Sequence, residues 1–102
     1  MSQQKTKQRN KEDARHNVSV SFTTIGWKDY QHWKATDEAI SMAVDRLILE
    51  CLRTPFSGSG KPEALKGDLS GYHSRRITKE HRLVYFYEAG TLTILACRFH
   101  YE

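Results

Sequence analysis

HRLVYFYEAGTLTILACRF, residues 81–99, is the stretch on which the architecture turns. His81–Tyr87 and Thr91–Phe99 are rich in β-branched and aromatic residues, and Glu88-Ala89-Gly90 between them is a turn signal. Tyr72–Ile77 just upstream has the same strand-like character, so the C-terminal part reads as a three-stranded antiparallel meander. Register follows from the turn. A three-residue loop with Gly90 left-handed makes Tyr87 face Thr91 and Arg82 face Ala96, on the side that carries Arg98 and His100. A two-residue loop shifts the pairing by one and brings Tyr101 to the face of Arg82. The three-residue loop is expected, because it puts glycine where a positive φ is required.

Working back from the meander, Pro55 to Asp68 (PFSGSGKPEALKGD) reads as a long irregular segment rich in Gly, Ser and Pro. Loops of this length in compact domains usually serve function. Before it, Ile40, Ala43, Val44, Leu47, Ile48 and Cys51 repeat at three- and four-residue spacing, a helix with Asp37 as its N-cap. Thr54-Pro55 ends that helix, since proline disfavours helix in the residue before it. An earlier helix, capped by Thr23 or Thr24, carries Ile25, Trp27, Tyr30 and Trp33 on an aromatic-rich side, read as core or subunit interface. Val18–Phe22 alternates with period two and forms a short strand. The order strand, helix, helix, meander gives an α+β domain with both helices on one face of the sheet. Residues 1–17 lack apolar periodicity and read as a flexible basic extension, leaving 18–102 as a single domain.

Composition agrees with one small core. The chain has 102 residues, 38% of them apolar and eleven aromatic, which excludes disorder for most of its length. No run reaches the ~20 apolar residues of a membrane span, and no secretory signal opens the chain, so a cytoplasmic location is expected. Cys51 and Cys97 fall in a helix pattern and a strand pattern and read as buried thiols. Cys97-x-x-His100 is only half of a zinc pattern, and His32, His73 and His81 have no metal-ligand spacing, so no metal or other cofactor is expected.

The net charge of +4 is unevenly spread. Residues 18–52 hold three basic residues against five acidic ones, whereas 53–82 hold seven against three. A locally basic half points to an anionic partner, although a solvated basic face has the same composition. Within that half, Glu63 is the one acid between Pro55 and Gly67, with Lys61 and Lys66 beside it. Arg75, Arg76 and Arg82 follow, and His100-Tyr101 nearly closes the chain.

This set suits RNA cleavage through the substrate's own 2′-hydroxyl. A base takes the hydroxyl proton, an acid protonates the leaving 5′-oxygen, and cations hold the phosphorane. Acid and base catalysis each contribute roughly 10²–10⁴-fold, and arginines aimed at the phosphate add electrostatic stabilisation. Glu63 is the candidate base and His100 the candidate acid, because an imidazole with an unperturbed pKa near ~6.5 exchanges protons around neutrality. Tyr101 can stack on a base, hydrogen-bond the phosphate or merely end the strand. A surface glutamate neutralising its lysines and an exposed terminal histidine remain the plainer alternatives.

Four ordered stretches resemble the YoeB toxins of the RelE superfamily: Arg53–Lys66 (RTPFSGSGKPEALK), Leu69–Ile77 (LSGYHSRRI), Glu80–Tyr85 (EHRLVY) and Ala96–Tyr101 (ACRFHY). The resemblance spans roughly Val18 to Tyr101. It implies a RelE-like fold, with Glu63 as proton acceptor, Arg82 as phosphate anchor, His100 as proton donor and Tyr101 beside it. Lys66 and Arg76 are implied as substrate contacts, and Lys61 and Arg75 complete the expected phosphate-binding set. It further implies mRNA cleavage in the A site of the 70S ribosome, a homodimer, and silencing by a YefM-like antitoxin. The extension 1–17 and the extra Glu102 depart from the family pattern. A non-catalytic RNA- or ribosome-binding module of the same fold is the alternative function.

Overall fold

The computed structural model describes residues 18–99. In chain order the elements are β1 (Ser19–Phe22), α1 (Thr24–Thr36), α2 (Glu38–Arg53), β2 (Glu63–Ala64), β3 (His73–Arg76), β4 (Arg82–Glu88) and β5 (Thr91–Ala96), with a 3-10 turn at Gly67–Leu69. The class is α+β, as expected. The strands form one sheet in the order β1-β5-β4-β3-β2, antiparallel except for the parallel β1–β5 pair.

Both helices start where their caps direct. Thr23 Oγ1 accepts the Gly26 N–H at 3.0 Å, and Asp37 Oδ1 accepts the Ile40 N–H at 3.1 Å. The α2 stripe Val44, Leu47, Ile48 and Cys51 packs with Trp33 against Leu83, Tyr85, Leu92 and Ile94 of the sheet and Cys97 just beyond β5. On α1 the expected apolar side divides. Trp33 is core, while Ile25 and Trp27 stay about half exposed, Trp27 edge-on to Phe22. Both thiols are buried, and burial raises both pKa values; that of Cys97 is pushed up to about 12 by burial and by the nearby Asp29 carboxylate. No helix among the described residues is long and apolar enough to cross a membrane.

The hairpin register differs from expectation near the turn. Glu88 faces Thr91, so the loop has two residues, and both Ala89 (φ 51°) and Gly90 (φ 81°) are left-handed. Core burial explains why. This pairing sets Tyr87 against Leu92 and Tyr85 against Ile94, all on the helix-covered face. The three-residue loop would have set those tyrosines against Thr91 and Thr93 instead. Four burying partners outweigh a left-handed alanine, which costs roughly 1–2 kcal/mol. A second shift follows, because an irregularity between Val84 and Tyr85 inserts Leu95 and pairs Val84 with Ala96. The two shifts together restore the even parity that a three-residue loop would supply.

The extra residue also fastens α1 to the sheet, since Thr23 Oγ1 donates to the Leu95 carbonyl at 2.7 Å. The first turn of α1 therefore lies on the β5 backbone, and a Cβ at Gly26 would stand 2.4 Å from the Ile94 carbonyl oxygen. Backbone cannot swing away as a side chain can. Gly26→Ala is accordingly expected to lose about 2–3 kcal/mol of stability. Urea unfolding should show a lower midpoint at unchanged slope, and a midpoint equal to that of the parent chain would refute this close approach.

Candidate active site

Strand alternation sorts the candidate residues onto two faces. β2 pairs Glu63 with Ser74, and β3 pairs Ser74 with Val84 and Arg76 with Arg82. Glu63, Ser74, Arg76 and Arg82 therefore share the sheet face opposite the helices. β2 itself lies inside the segment read as irregular. Two residues carry no periodic signal, and edge hydrogen bonding to β3 makes the strand.

On that open face Arg82 Nη1 donates to Ser74 Oγ at 2.9 Å and lies 3.8 Å from Glu63 Oε2. The Arg82 side chain is 14% exposed and that of Glu63 is 61% exposed. The guanidinium is thus braced from beneath while the carboxylate projects into solvent. Such an exposed pair is weakly held, and an incoming phosphate can displace the carboxylate from the arginine. Arg76 stands opposite Arg82 on β3 and is exposed, and the exposed Lys61 and Lys66 lie two residues before and three after Glu63 in the chain. Ser74 as the brace was not singled out from the sequence, although its alternation with Arg76 on one strand was a usable signal.

Arg75 corrects an expectation. Instead of facing a phosphate, its side chain is wholly buried on the helix side of β3. Its Nε donates to the Tyr85 hydroxyl at 3.1 Å, Nη1 to the Ser59 carbonyl at 3.3 Å, and Nη2 to the Ser57 carbonyl at 2.8 Å and to that of Thr54. Glu50 Oε1 lies 3.7 Å from Nη1. The Tyr85 hydroxyl in turn donates to the Pro55 carbonyl. Arg75 therefore gathers the Thr54–Ser59 loop and leaves no guanidinium edge for RNA. Neighbouring arginines on a strand must face opposite ways, so only one of Arg75 and Arg76 could reach the open face.

The C-terminal segment leaves the strand earlier than expected. Trp33 Nε1 donates to the Cys97 carbonyl at 2.8 Å, and the Cys97 N–H donates to Asp29 Oδ2 at 3.0 Å. Arg98, expected on the face of Arg82, instead sets its guanidinium 6.0 Å from the Trp33 ring. Phe99 is left-handed (φ 65°), its N–H donates to His81 Nδ1 at 2.8 Å, and its carbonyl accepts the Arg82 N–H at 3.2 Å. His81 thus holds the chain beside Arg82, a role that spacing did not suggest. The expectations for His100, Tyr101, Glu102 and residues 1–17 lie outside the described residues. Among the described residues no cluster of three or more His, Cys, Asp or Glu could hold a metal ion.

Residues 22–101 match the family model described as a YoeB-like toxin of a bacterial type II toxin–antitoxin system. Toxin YoeB of Escherichia coli strain K12 is 55% identical over 84 residues, covering 82% of this chain and all of that relative. The solved structure of a YoeB/ParE toxin from Agrobacterium tumefaciens is similar, with a TM-score of 0.79 and 48% identity over 82% of this chain and all of that one. A heterotetrameric YoeB–YefM toxin–antitoxin complex from Staphylococcus aureus also contains a similar chain, at a TM-score of 0.77 and 35% identity, over 82% of this chain and 98% of that one.

Proposed function

Because this chain belongs to the family of YoeB-like toxins of bacterial type II toxin–antitoxin systems, we propose that it is a ribosome-dependent endoribonuclease acting on mRNA in the A site. The observation that carries this reading is the Glu63–Arg82 pair, 3.8 Å apart on the sheet face opposite the helices, with the exposed Arg76 paired to Arg82 on the neighbouring strand. A phosphate that replaces the carboxylate beside Arg82 leaves Glu63 next to the sugar that bears it. Glu63 then removes the 2′-hydroxyl proton, the 2′-oxygen attacks phosphorus, and the bond to the 5′-oxygen breaks. His100 protonates that leaving oxygen, with Tyr101 at its side. The products are a 2′,3′-cyclic phosphate and a 5′-hydroxyl end. Arg82 stabilises the charge gathered on the phosphorane, and Arg76, Lys66 and Lys61 contact flanking phosphates.

The substrate places the protein in the cytoplasm, and a YefM-like antitoxin is the proposed silencing partner. A homodimer is proposed as well, in which the half-exposed Ile25 and Trp27 of α1 would be covered. Residues 1–17 are proposed as an extension to a single toxin domain.

Induction of the chain in growing cells tests the assignment. New mRNA 5′ ends should cluster at ribosome-occupied codons within minutes. Growth arrest without new ends would replace the nuclease with a non-catalytic ribosome-binding module.

A further inference from the structure

The open sheet face carries a third row that the proposed chemistry does not use. Arg76 and Arg82 form the first row, and Glu63, Ser74 and Val84 the second. Two residues farther along, the Leu65 N–H donates to the Tyr72 carbonyl at 2.9 Å, and Phe86 stands next to Tyr72 on β4. Alternation puts Leu65, Tyr72 and Phe86 on the same face as Glu63 and Arg82. At ~3.3 Å per residue this row lies about 7 Å from the carboxylate row, on the side away from the arginines.

The two rings touch, with centroids 5.5 Å apart and planes at 45°. Both stay partly exposed, and neither belongs to the hydrophobic core, which lies under the helices. An aromatic pair on the sheet face that also carries Arg76 and Arg82 combines the two features that hold single-stranded nucleic acid, cations for the backbone and rings for the bases.

We propose that Tyr72, braced by Phe86, is a stacking platform for a nucleobase next to the scissile linkage. The inference rests on the nuclease reading above. A phosphate at Arg82 and a ribose at Glu63 direct the strand along the rows, so a base adjoining the cleaved bond falls over the third. Stacking is tolerant of base identity, so the platform positions the strand without dictating a codon. Tyr72 is a positioning residue here, acting on the substrate's placement and not on its reacting atoms.

The test uses the full chain and ribosomes programmed with an mRNA whose A-site codon carries 2-aminopurine. A 2′-O-methyl group at each ribose of that codon removes the nucleophile, so the readout does not depend on cleavage. Binding of the parent chain should change the 2-aminopurine fluorescence. Tyr72→Leu should lose that change and bind about tenfold more weakly or worse, while Tyr72→Phe keeps both. Phe86→Leu should act in the same direction as Tyr72→Leu, with thermal melting confirming that each variant is folded.

Unchanged affinity and fluorescence in folded Tyr72→Leu would overturn the platform and leave the nuclease reading intact. So would equal losses in Tyr72→Phe, which point to a hydroxyl contact, or a loss that tracks dissociation of a dimer in sedimentation. Failure of the parent chain itself to bind programmed ribosomes would remove the nuclease reading and the platform with it.

Discussion

Arg75→Met is expected to lose about 3–5 kcal/mol of stability, a large share of the 5–15 kcal/mol typical of a small domain. The side chain is wholly buried and donates to Tyr85 and to the carbonyls of Thr54, Ser57 and Ser59. Hydrogen bonds from a charged donor are worth roughly 1.5–3 kcal/mol each. Methionine fills part of the volume and makes none of them. Some of the freed carbonyls lie near the surface and regain water, which keeps the loss below the full sum.

The local effect should exceed the global one. Residues 54–60 should exchange their amide hydrogens and meet proteases far faster in Arg75→Met than in the parent chain. Acid should loosen the same loop. The Ser59 backbone N–H, then the Ser59 hydroxyl and the Arg75 guanidinium, hold the Glu50 carboxyl below its usual range against a smaller opposing effect of burial. The contribution of that contact is present above the unfolded carboxyl pKa and disappears as pH falls through the lower folded value. Parental stability and loop protection in the Arg75→Met variant would show that the guanidinium does not organise this segment.

Glu63→Gln is expected to slow cleavage by about 10²–10⁴-fold while leaving ribosome affinity unchanged or slightly higher. Glutamine keeps the shape and removes the proton acceptor. It also removes the negative charge 3.8 Å from Arg82 that an arriving phosphate must displace. Single-turnover cleavage of mRNA in programmed ribosomes, with binding measured separately, distinguishes the two effects. A parental cleavage rate in the glutamine variant would deny Glu63 the role of base. A parallel loss of binding would make it a structural contact.

These two residues also show how far a chain can be read before it is folded. Glu63 stands out as an isolated acid in a basic segment, and in the fold it meets one of the arginines that composition grouped with it. Arg75 and Arg76 are chemically identical neighbours. Composition and charge treat them alike, and only the alternation of a strand sends one to solvent and the other into the interior. Tyr72 and Phe86 read as strand formers and nothing more, because their contact depends on which strands pair.

The hairpin shows the same division. A left-handed glycine was a sound local argument for a three-residue loop, yet the odd-numbered Leu83, Tyr85 and Tyr87 and the even-numbered Leu92 and Ile94 share one face only in a two-residue register. That arithmetic was available in the sequence, and burial outweighs turn preference when the two disagree.

The two helices, their caps, the meander and the acid among cations were legible without coordinates, because periodicity, capping and charge act between residues close in the chain. The parallel docking of β1 on β5, the second register shift at Leu95, the edge strand bearing Glu63 and the burial of Arg75 needed the folded molecule. Each of these joins segments far apart in the chain, and such pairings are chosen by the total surface buried when the sheet closes against its helices. No local preference specifies that total.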